Sequence, residues 1–385
     1  MEKIRVLRII TRMNLGGPAI QISGLASNLD PSRFNHLVVT GECESDEMEY
    51  PICDSENIQI KRISSLRKSI NILFDLRAFI EIRRVIAEFN PHIIHTHTTK
   101  AGVIGRLASI TFKNKHKRVH TFHGHLLEGY FSPVFKLGIT SIEKLLATRT
   151  DVLISVGRKV RNDLIQAGVG SADKYQVVPP GLSISVTLSR DDARSMLNLR
   201  DGVTYFAWIG RVVAIKNPMK LLAIAAVVKT FDLPIRFCVV GDGPLQNEMI
   251  QLSVLQDLPI DFLGWQVDIE NVLAAIDCVI LTSINEGTPL SLIQAQMAGK
   301  AVISTNVGSV EEIVQNDVSG FVGEFDEVEF ASIIRRLGLD TSLRIKMGNA
   351  GIDFTKSKFS VARLTEDHEK IYINLLTQPA RGPQL

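Results

Sequence analysis

The chain has 385 residues, a length that suits two domains better than a single hydrophobic core. With 45% hydrophobic and 22% charged residues, its composition is that of a globular protein and excludes a disordered or low-complexity chain. The four cysteines form no CxxC motif. Cys238 and Cys278 fall in apolar segments, which predicts free thiols in a reducing compartment.

The first 13 residues carry charges inside an apolar run, which is not the pattern of a signal peptide. No uninterrupted apolar run reaches the roughly 18 residues of a transmembrane helix. We therefore expect a cytoplasmic protein whose contact with the membrane, if any, is peripheral and at the inner face.

Charge is distributed unevenly. Residues 1–182 contain 25 Lys/Arg and 17 Asp/Glu, a net charge of +8, whereas residues 183–385 contain 18 and 24, a net charge of −6. The basic half suggests an anionic partner or a membrane surface, with basic residues at Arg83, Arg84 and 113–118. Chance variation on solvated faces is the alternative interpretation.

In the first half, short apolar segments alternate with amphipathic ones, which predicts a parallel sheet covered by helices on both faces. The predicted strands are Ile4–Ile10, His36–Thr40, His92–His95, Val119–Phe122, Val152–Val156 and Gln176–Val178. Predicted helices include Ile20–Asn28, Leu73–Glu88 and Gly102–Phe112. Within residues 73–88, helical spacing is shown by Leu73, Leu76, Phe79, Ile80 and Val85.

Pro179, Pro180 and Gly181 interrupt this pattern, which then starts again. The second set of predicted strands is Thr204–Ile209, Arg236–Val240, Asp261–Leu263, Cys278–Leu281 and Ala301–Ser304. Ser189 before Asp191 and Asp192 predicts the start of a helix. The last helix is predicted at about 361–376. Two α/β domains of doubly wound parallel sheet are therefore expected, over residues 1–182 and 183–385.

Ligands of such sheets bind beyond the carboxyl ends of the strands. Gly16 and Gly17 follow the first strand and precede a helix, whose N-terminus suits a phosphate. A simple tight turn is the alternative. Gly210, Arg211 and Lys216 follow the strand Thr204–Ile209, and two cations there predict a clamp on a diphosphate.

Gly241 and Gly243 begin a partial dinucleotide-binding pattern whose third glycine is replaced by Gln246, which is weak support for an NAD-dependent oxidoreductase. Six histidines cluster at strand ends, but no nearby cysteine or acid cluster joins them, so we predict no metal site. They are His92, His95, His97, His120, His123 and His125. No DxD motif follows a strand.

The ordered motifs resemble the family 4 glycosyltransferases, which are retaining enzymes of the GT-B fold. The motifs are GGPA at 16–19, HTHTTKAG at 95–102, HTFHG at 120–124, VVPPG at 177–181, GRVVAIKN at 210–217, VGDGP at 240–244, FLG at 262–264 and EGTPLSLIQAQMAGKAVIST at 286–305. The resemblance implies two Rossmann-like domains with a cleft between them. The N-terminal domain would bind the acceptor and the C-terminal domain a nucleotide sugar, with the last helix crossing back to the first domain.

The resemblance also implies roles for individual residues. Arg211 and Lys216 would contact the donor diphosphate, and Gly17 with its loop would approach the phosphates. His123 would lie near the donor sugar, and Glu286 would contact the sugar hydroxyls as the first Glu of the family's E-x7-E motif. The backbone at Thr288, Leu290 and Ser291 would cap the phosphates.

Position 294 departs from that motif, because the second Glu, which grips the nucleotide ribose, is Gln294 here. An amide still accepts and donates hydrogen bonds, but it lacks the charge that makes such bonds about twice as strong. We expect altered nucleotide binding with the chemistry intact; decay into a binding protein is the alternative.

The resulting hypothesis is a metal-independent hexosyl- or N-acetylhexosaminyl-type transferase without a cofactor, in which the nucleotide sugar, expected to be a UDP-sugar, is a co-substrate. The acceptor is expected to be a glycan or polyprenyl-diphosphate-linked precursor in cell-envelope polysaccharide synthesis. No nucleic acid partner is expected. A non-hydrolysing nucleotide-sugar epimerase of the same fold, or a weakened nucleotide-sugar-binding protein, is the alternative.

Overall fold

The computed structural model describes residues 2–44, 47–50, 58–113, 115–124 and 133–377. It divides into two compact units, of which the first comprises Met1–Leu182 with Phe359–Leu385, and the second Ser183–Lys358. The second domain was predicted to extend to residue 385, whereas the second unit ends at Lys358 and Phe359–Leu385 is grouped with the first unit. His125, one of the six clustered histidines, and residues 378–385 lie outside the described residues.

Within the described residues, the first unit is built on a seven-stranded parallel sheet in the order β3-β2-β1-β4-β5-β6-β7. The strands are β1 (Ile4–Arg12), β2 (Phe34–Gly41), β3 (Gln59–Arg62), β4 (Ile93–His97), β5 (Lys117–Phe122), β6 (Val152–Ser155) and β7 (Tyr175–Val177). The helices of this unit are α1 (Gly17–Asn28), α2 (Ile72–Phe89), α3 (Thr99–Ile110), α4 (Pro133–Thr148), α5 (Arg158–Gln166) and α14 (Val361–Thr377).

The second unit is built on a six-stranded parallel sheet in the order β10-β9-β8-β11-β12-β13. Its strands are β8 (Thr204–Ile209), β9 (Ile235–Val240), β10 (Ile260–Gly264), β11 (Cys278–Leu281), β12 (Ala301–Thr305) and β13 (Gly320–Gly323). Its helices are α6 (Arg190–Met196), α7 (Pro218–Lys229), α8 (Gln246–Leu255), α9 (Ile269–Ala275), α10 (Leu290–Met297), α11 (Val310–Ile313), α12 (Glu327–Leu339) and α13 (Thr341–Lys358).

The central strands are buried on both faces, which explains why they are read in the sequence as short apolar runs. All residues of β11 and β12 are buried, and so are five of the six in β8. The predicted class of two doubly wound α/β sheets is confirmed. The helix start at Ser189 is also confirmed, since its side chain accepts a hydrogen bond from the Asp192 backbone at 3.1 Å.

Helix α2 is present, and the apolar residues of its predicted spacing divide between the buried face and solvent. Its buried residues are Ala78, Ile82, Val85 and Ile86. By contrast, Leu73, Leu76 and Ile80 point to solvent. The helical period was therefore a sound guide to the element, whereas apolar character alone did not identify the side that meets the sheet, because α2 is apolar on both sides.

The last helix completes the core of the first unit. Leu364 and Tyr372 on α14 are fully buried in a cluster with residues of α1 and of the sheet. The Arg363 guanidinium donates to the carbonyl oxygens of Pro179 and Pro180 at 2.7 and 2.8 Å. Because α14 supplies core side chains as well as surface contacts, the first unit needs both ends of the chain.

Candidate active site

The second sheet has a topological switch point between β8 and β11, because the chain continues from these two neighbouring strands toward opposite sides of the sheet. Open α/β sheets bind ligands in the crevice beyond such strand ends. The loop after β8 carries Gly210, Arg211 and Lys216, and the loop after β11 carries Glu286. Residues 70 positions apart in sequence therefore meet at one edge of the sheet.

Lys216 and Glu286 form an ion pair at this edge. The Lys216 Nζ lies 2.5 Å from Glu286 Oε1, and the Ser283 hydroxyl donates to the same oxygen at 2.7 Å. Their side chains are 22% and 11% exposed. Partial burial strengthens this charge-assisted contact while solvent, and hence a ligand, can still reach both groups. Arg211 is exposed.

A buried hydrogen-bond chain fixes the two loops relative to each other. The Trp208 indole on β8 donates to the Thr282 hydroxyl at 2.9 Å. That hydroxyl lies 3.1 Å from the carbonyl oxygen of Lys216 and 3.0 Å from that of Asn217. The Ile284 backbone N–H also donates to the Ile215 carbonyl at 2.9 Å. The position of the ion pair is thus set by backbone contacts and not only by two flexible side chains.

Glycines let these loops pack closely. A Cβ at Gly241 would lie 2.0 Å from the Gly210 carbonyl oxygen, and one at Gly243 would lie 2.5 Å from the Val212 carbonyl oxygen. Gly308 has a φ of +56°, and a Cβ there would lie 1.9 Å from the Glu286 carbonyl oxygen. Gly241 and Gly243 are therefore required for loop packing, whatever ligand they approach. Gly308 was not among the predicted site residues.

Helix α10 begins at Leu290, directly after the loop that carries Glu286. Thr288, Leu290, Ser291 and Gln294 are all partly exposed around its first turns. The first turn contains no acidic side chain, so its N–H groups face no competing side-chain charge from the helix itself. This is the arrangement that can receive an anionic group at a helix N-terminus.

The remaining predicted residues lie in the first unit. Gly16 is the N-cap of α1 and Gly17 is its first residue, so the helix begins three residues earlier than predicted. His123 follows β5. Its Nε2 lies 2.9 Å from Nδ1 of His97, the last residue of β4. Gly17 and His123 thus follow β1 and β5, which are separated in the sheet by β4.

The histidines of this unit are mainly buried and uncharged. His97 is 1% exposed, and desolvation holds its pKa well below the usual value. Burial likewise lowers the pKa values of His95, His120 and His123. His95 is fixed by Tyr372 and Thr121, each at 2.7 Å. Among the described side chains, no group of three or more His, Cys, Asp and Glu could hold a metal ion.

Sequence reasoning missed several residues that shape these sites. Ser283 and Thr282 lie just before Glu286, and their hydroxyls could have been noticed as neighbours of the predicted acid. His97 belongs to the HxH pattern, but only the pairing of β4 with β5 reveals its contact with His123. Thr98 has an unusual φ of +63° for a β-branched residue, and its hydroxyl lies 2.8 Å from that of Thr11.

Two family models match the chain. The model described as Glycosyltransferase Family 4 matches residues 15–186, and that described as Glycosyl transferases group 1 matches residues 189–354. Together the two matches extend over both units and over every predicted site residue.

The chain belongs to the family 4 glycosyltransferases.

Among curated relatives of this glycosyltransferase is the UDP-Gal:alpha-D-GlcNAc-diphosphoundecaprenol alpha-1,3-galactosyltransferase of Escherichia coli. It is 25% identical over 338 residues, which cover 85% of this chain and 87% of the relative. Among solved structures, Anabaena HepE in complex with UDP and glucose has a TM-score of 0.81 at 21% identity, covering 97% of this chain and 100% of that chain. Sucrose-phosphate synthase from Thermosynechococcus elongatus has a TM-score of 0.82 at 18% identity, covering 97% and 99%.

These similarities confirm the predicted GT-B architecture of two Rossmann-like parallel-sheet units and the predicted enzyme class, a glycosyltransferase. In the described part of the chain, no helix combines the length and the apolar character needed to cross a bilayer.

Proposed function

We propose that this glycosyltransferase transfers a sugar, with retention at the anomeric carbon, from a UDP-sugar to a lipid-linked glycan precursor. The observation that carries the proposal is the Lys216–Glu286 pair, which lies at the switch point of the second sheet and remains partly exposed. The E. coli relative, whose name gives UDP-Gal and a diphosphoundecaprenol-linked acceptor, supports the donor and acceptor classes.

In the proposed mechanism, departure of the nucleoside diphosphate develops negative charge at the carboxyl edge of β8. The Lys216 ammonium, the Arg211 guanidinium and the N–H groups at the start of α10 would stabilise that charge, which is commonly the largest catalytic contribution. An ammonium has three donors and the bond to Glu286 uses one of them, so Lys216 can bind a phosphate oxygen while it stays paired.

Glu286 would accept hydrogen bonds from hydroxyls of the donor sugar. Its Oε1 is held by Lys216 and Ser283, so the carboxylate is oriented before a ligand arrives. Preorientation of this kind lowers the entropic cost of reaching a reactive geometry. The roles of Gly17 and His123 toward the donor rest on the family resemblance alone.

The reaction needs no metal ion in this proposal, because protein cations and helix N–H groups neutralise the leaving group. Nor does it need a cofactor, since the nucleotide sugar is itself a substrate. The departing phosphate would help to deprotonate the acceptor hydroxyl on the same face of the sugar, which yields retention. This last step is carried over from the family resemblance.

The test is nucleoside diphosphate release from a panel of UDP- and GDP-sugars in EDTA, with and without a polyprenyl-diphosphate-linked sugar. We expect release with one donor, stimulated by the acceptor and lost in Glu286→Ala and Lys216→Met. Lys229→Met is the matched control, because Lys229 also forms an ion pair, with Asp257 at 3.0 Å, but at the far end of α7. Analysis of the product anomer tests retention.

Three other results would contradict the proposal. A new nucleotide sugar formed without any acceptor would indicate an epimerase. Calorimetry that detects donor binding, with no release of nucleoside diphosphate for any donor and acceptor, would favour a nucleotide-sugar-binding protein. Gln294 is the feature of the sequence that favours this binding protein. Release that is abolished by EDTA would contradict metal independence.

A further inference from the structure

Two consecutive hydroxyl residues, Thr282 and Ser283, lie between the end of β11 and Glu286. Thr282 is fully buried, and Ser283 is 2% exposed. Buried hydroxyls are normally hydrogen-bonded, and their partners show what each group holds in place. Here the two partners differ, since one is the loop after β8 and the other is the Glu286 side chain. The same short segment therefore contacts both members of the Lys216–Glu286 pair.

The Thr282 hydroxyl is committed to the loop after β8. Its oxygen accepts a hydrogen bond from the Trp208 indole, which can only donate, so the Thr282 proton is left for a carbonyl oxygen. The carbonyl oxygens of Lys216 and Asn217 lie 3.1 and 3.0 Å away and share this proton. Thr282 thus holds Lys216 by its backbone, and the ammonium stays available for a ligand.

The Ser283 hydroxyl acts on the side chain of Glu286 instead. It donates to Oε1 at 2.7 Å, and the Lys216 ammonium contacts the same oxygen at 2.5 Å. The two hydrogen bonds that the described residues make to this carboxylate therefore both go to Oε1. Because a carboxylate oxygen has two lone pairs, Oε1 is saturated. Oε2 is the oxygen that remains to accept hydroxyls of a bound sugar.

Ser283 is itself anchored from the neighbouring strand. Thr305, the last residue of β12, donates its hydroxyl to the Ser283 carbonyl oxygen at 2.8 Å. The loop after β12 also fixes the other side of Glu286, because the Ser309 N–H donates to the Gly287 carbonyl oxygen at 2.9 Å. The backbone is thus held before and after Glu286. The remaining freedom is rotation of the carboxylate, a broad torsion that the Ser283 hydroxyl restrains.

We propose that Thr282 and Ser283 are positioning residues that serve different parts of one donor molecule. Thr282 sets the position of Lys216 toward the diphosphate, and Ser283 sets the orientation of Glu286 toward the sugar. Each hydroxyl acts through its partner and not by touching the donor. This assignment rests on the proposed function, which supplies the donor, and divides recognition of that donor between two adjacent side chains.

A purely structural role for the two hydroxyls makes a different prediction. If they only stabilised the fold, their removal would weaken every ligand of the second unit equally or not at all. A division between diphosphate and sugar arises only if each hydroxyl acts through its own partner. Comparing a nucleotide that carries the sugar with the same nucleotide without it separates the two cases.

The test is calorimetric titration of the full chain with UDP, UDP-galactose and UDP-glucose. Ser283→Ala should leave Kd for UDP within about 2-fold and weaken the tighter of the two UDP-sugars about 10-fold, since loss of a bond that supports a ligand-binding group commonly costs that much. Thr282→Val should weaken UDP and the UDP-sugar by the same factor, about 10-fold, because both contain the diphosphate that Lys216 contacts. Thr282→Ser keeps the hydroxyl and should bind UDP as the unchanged protein does.

Each variant has a matched control in the second unit. Ser319 is fully buried and donates its hydroxyl to a side-chain oxygen of α10 at 2.7 Å, so Ser319→Ala removes the same kind of bond as Ser283→Ala. Thr355 is also fully buried and shares its hydroxyl proton between two backbone carbonyl oxygens of α13, at 2.7 and 3.3 Å. Thr355→Val therefore matches Thr282→Val. Both controls should lower the melting temperature and leave all three Kd values unchanged.

Three results would overturn the assignment. They are unchanged UDP-sugar affinity in Ser283→Ala, an equal loss of UDP and UDP-sugar affinity in that variant, and unchanged UDP affinity in Thr282→Val. If the unchanged protein binds neither UDP-sugar, the assignment and the proposed donor fall together. If it binds one but releases no nucleoside diphosphate with any acceptor, the proposed function fails, while the assignment is still decided by the Kd values.

Discussion

The candidate site residues at the carboxyl edges of the two sheets of this glycosyltransferase differ in charge. The second unit places a charged and partly exposed pair, Lys216 and Glu286, at its switch point. The first unit places uncharged imidazoles there, with His97 and His123 in contact and their pKa values lowered by burial. All nine histidines lie outside residues 183–358. Lys216 and Glu286 therefore offer fixed charge to a ligand, whereas His97 and His123 are neutral hydrogen-bonding groups that are buried.

The largest effect should come from removing the Lys216 ammonium from the candidate site. We expect Lys216→Met to lower kcat/KM by about 100- to 1,000-fold, because one preorganised group that stabilises developing charge is typically worth that much. Steady-state kinetics with the preferred donor would measure the loss. Retention of activity within about 3-fold, with Lys229→Met as reference, would show that Lys216 is only a surface cation.

The second prediction concerns acid stability, which should differ between the units. Burial lowers the pKa of His368, on α14, to about 3, whereas an unfolded histidine titrates near 6.5. Below pH 6.5 the unfolded chain therefore binds a proton that the folded chain does not. The free energy of unfolding of the first unit should fall by about 1.4 kcal/mol per pH unit for this residue, down to about pH 3, and should change little from this source above pH 6.5.

The two tryptophans allow the units to be followed separately. Trp208 and Trp265 both lie in the second unit, so fluorescence reports that unit while circular dichroism reports both. Between pH 7.5 and 5.5, thermal melting by circular dichroism should acquire an earlier transition that fluorescence does not show. His368→Gln should reduce the shift. Equal shifts in both signals would argue against a difference between the units.

A smaller effect is expected at His97, which we regard as a positioning residue for His123. Asparagine places an amide near the position of Nδ1, the atom that contacts His123, whereas glutamine places it near Nε2. We expect His97→Gln to lower kcat/KM about 10-fold, as loss of a supporting hydrogen bond commonly does, and His97→Asn to lower it less. The ring nitrogen shifts of His123, measured by NMR, should change in the glutamine variant only. Equal losses in both variants would mean that His97 contributes packing alone.

The smallest effect should come from replacing Gln294 with the glutamate that the family has at this position. If Gln294 binds the ribose, Gln294→Glu should lower KM for the donor by about 3- to 10-fold and leave kcat unchanged, because a charge-assisted bond replaces a neutral one. Gln296→Glu is the control. That side chain is buried and donates to the Leu292 and Ile313 carbonyls at 3.2 and 2.7 Å, bonds that a carboxylate cannot make. It should lower the melting temperature without improving KM.

The sequence predicted strands best where the strands are buried on both faces. The segments that form β8, β11 and β12 are apolar because both of their faces are covered, so the positions of these strands could be predicted. Strand β3 was missed, since three of its four residues are exposed at a sheet edge and its sequence, QIKR, has no apolar run. Strand β13 was missed because Gly320 and Gly323 lack the usual β-forming side chains.

The residues of the candidate site could be predicted from the sequence, but the contacts between their side chains could not. Lys216 and Glu286 were each identified from the family motifs, yet their contact depends on β8 and β11 being neighbours, which follows from the strand order. The contact of His97 with His123 likewise depends on the pairing of β4 with β5. The exposure of Leu73 and Leu76 on α2 could not be predicted, because a helical period locates the element without showing which of its faces meets the sheet.

The discontinuous first unit has a consequence for biosynthesis. When the ribosome has completed residue 182, all seven strands of the described first sheet have been synthesised. Leu364 and Tyr372, which fill part of the core beside that sheet, have not yet been made. At about 5–20 residues per second, the wait for them is on the order of 10–35 s. Residues 183–358, by contrast, are contiguous and can fold as they emerge. The nascent first unit thus carries an unfilled apolar groove for about half of the time that the 385 residues take to be translated, and chaperones protect surfaces of this kind. A nonsense mutation between residues 182 and 364 would leave that groove open.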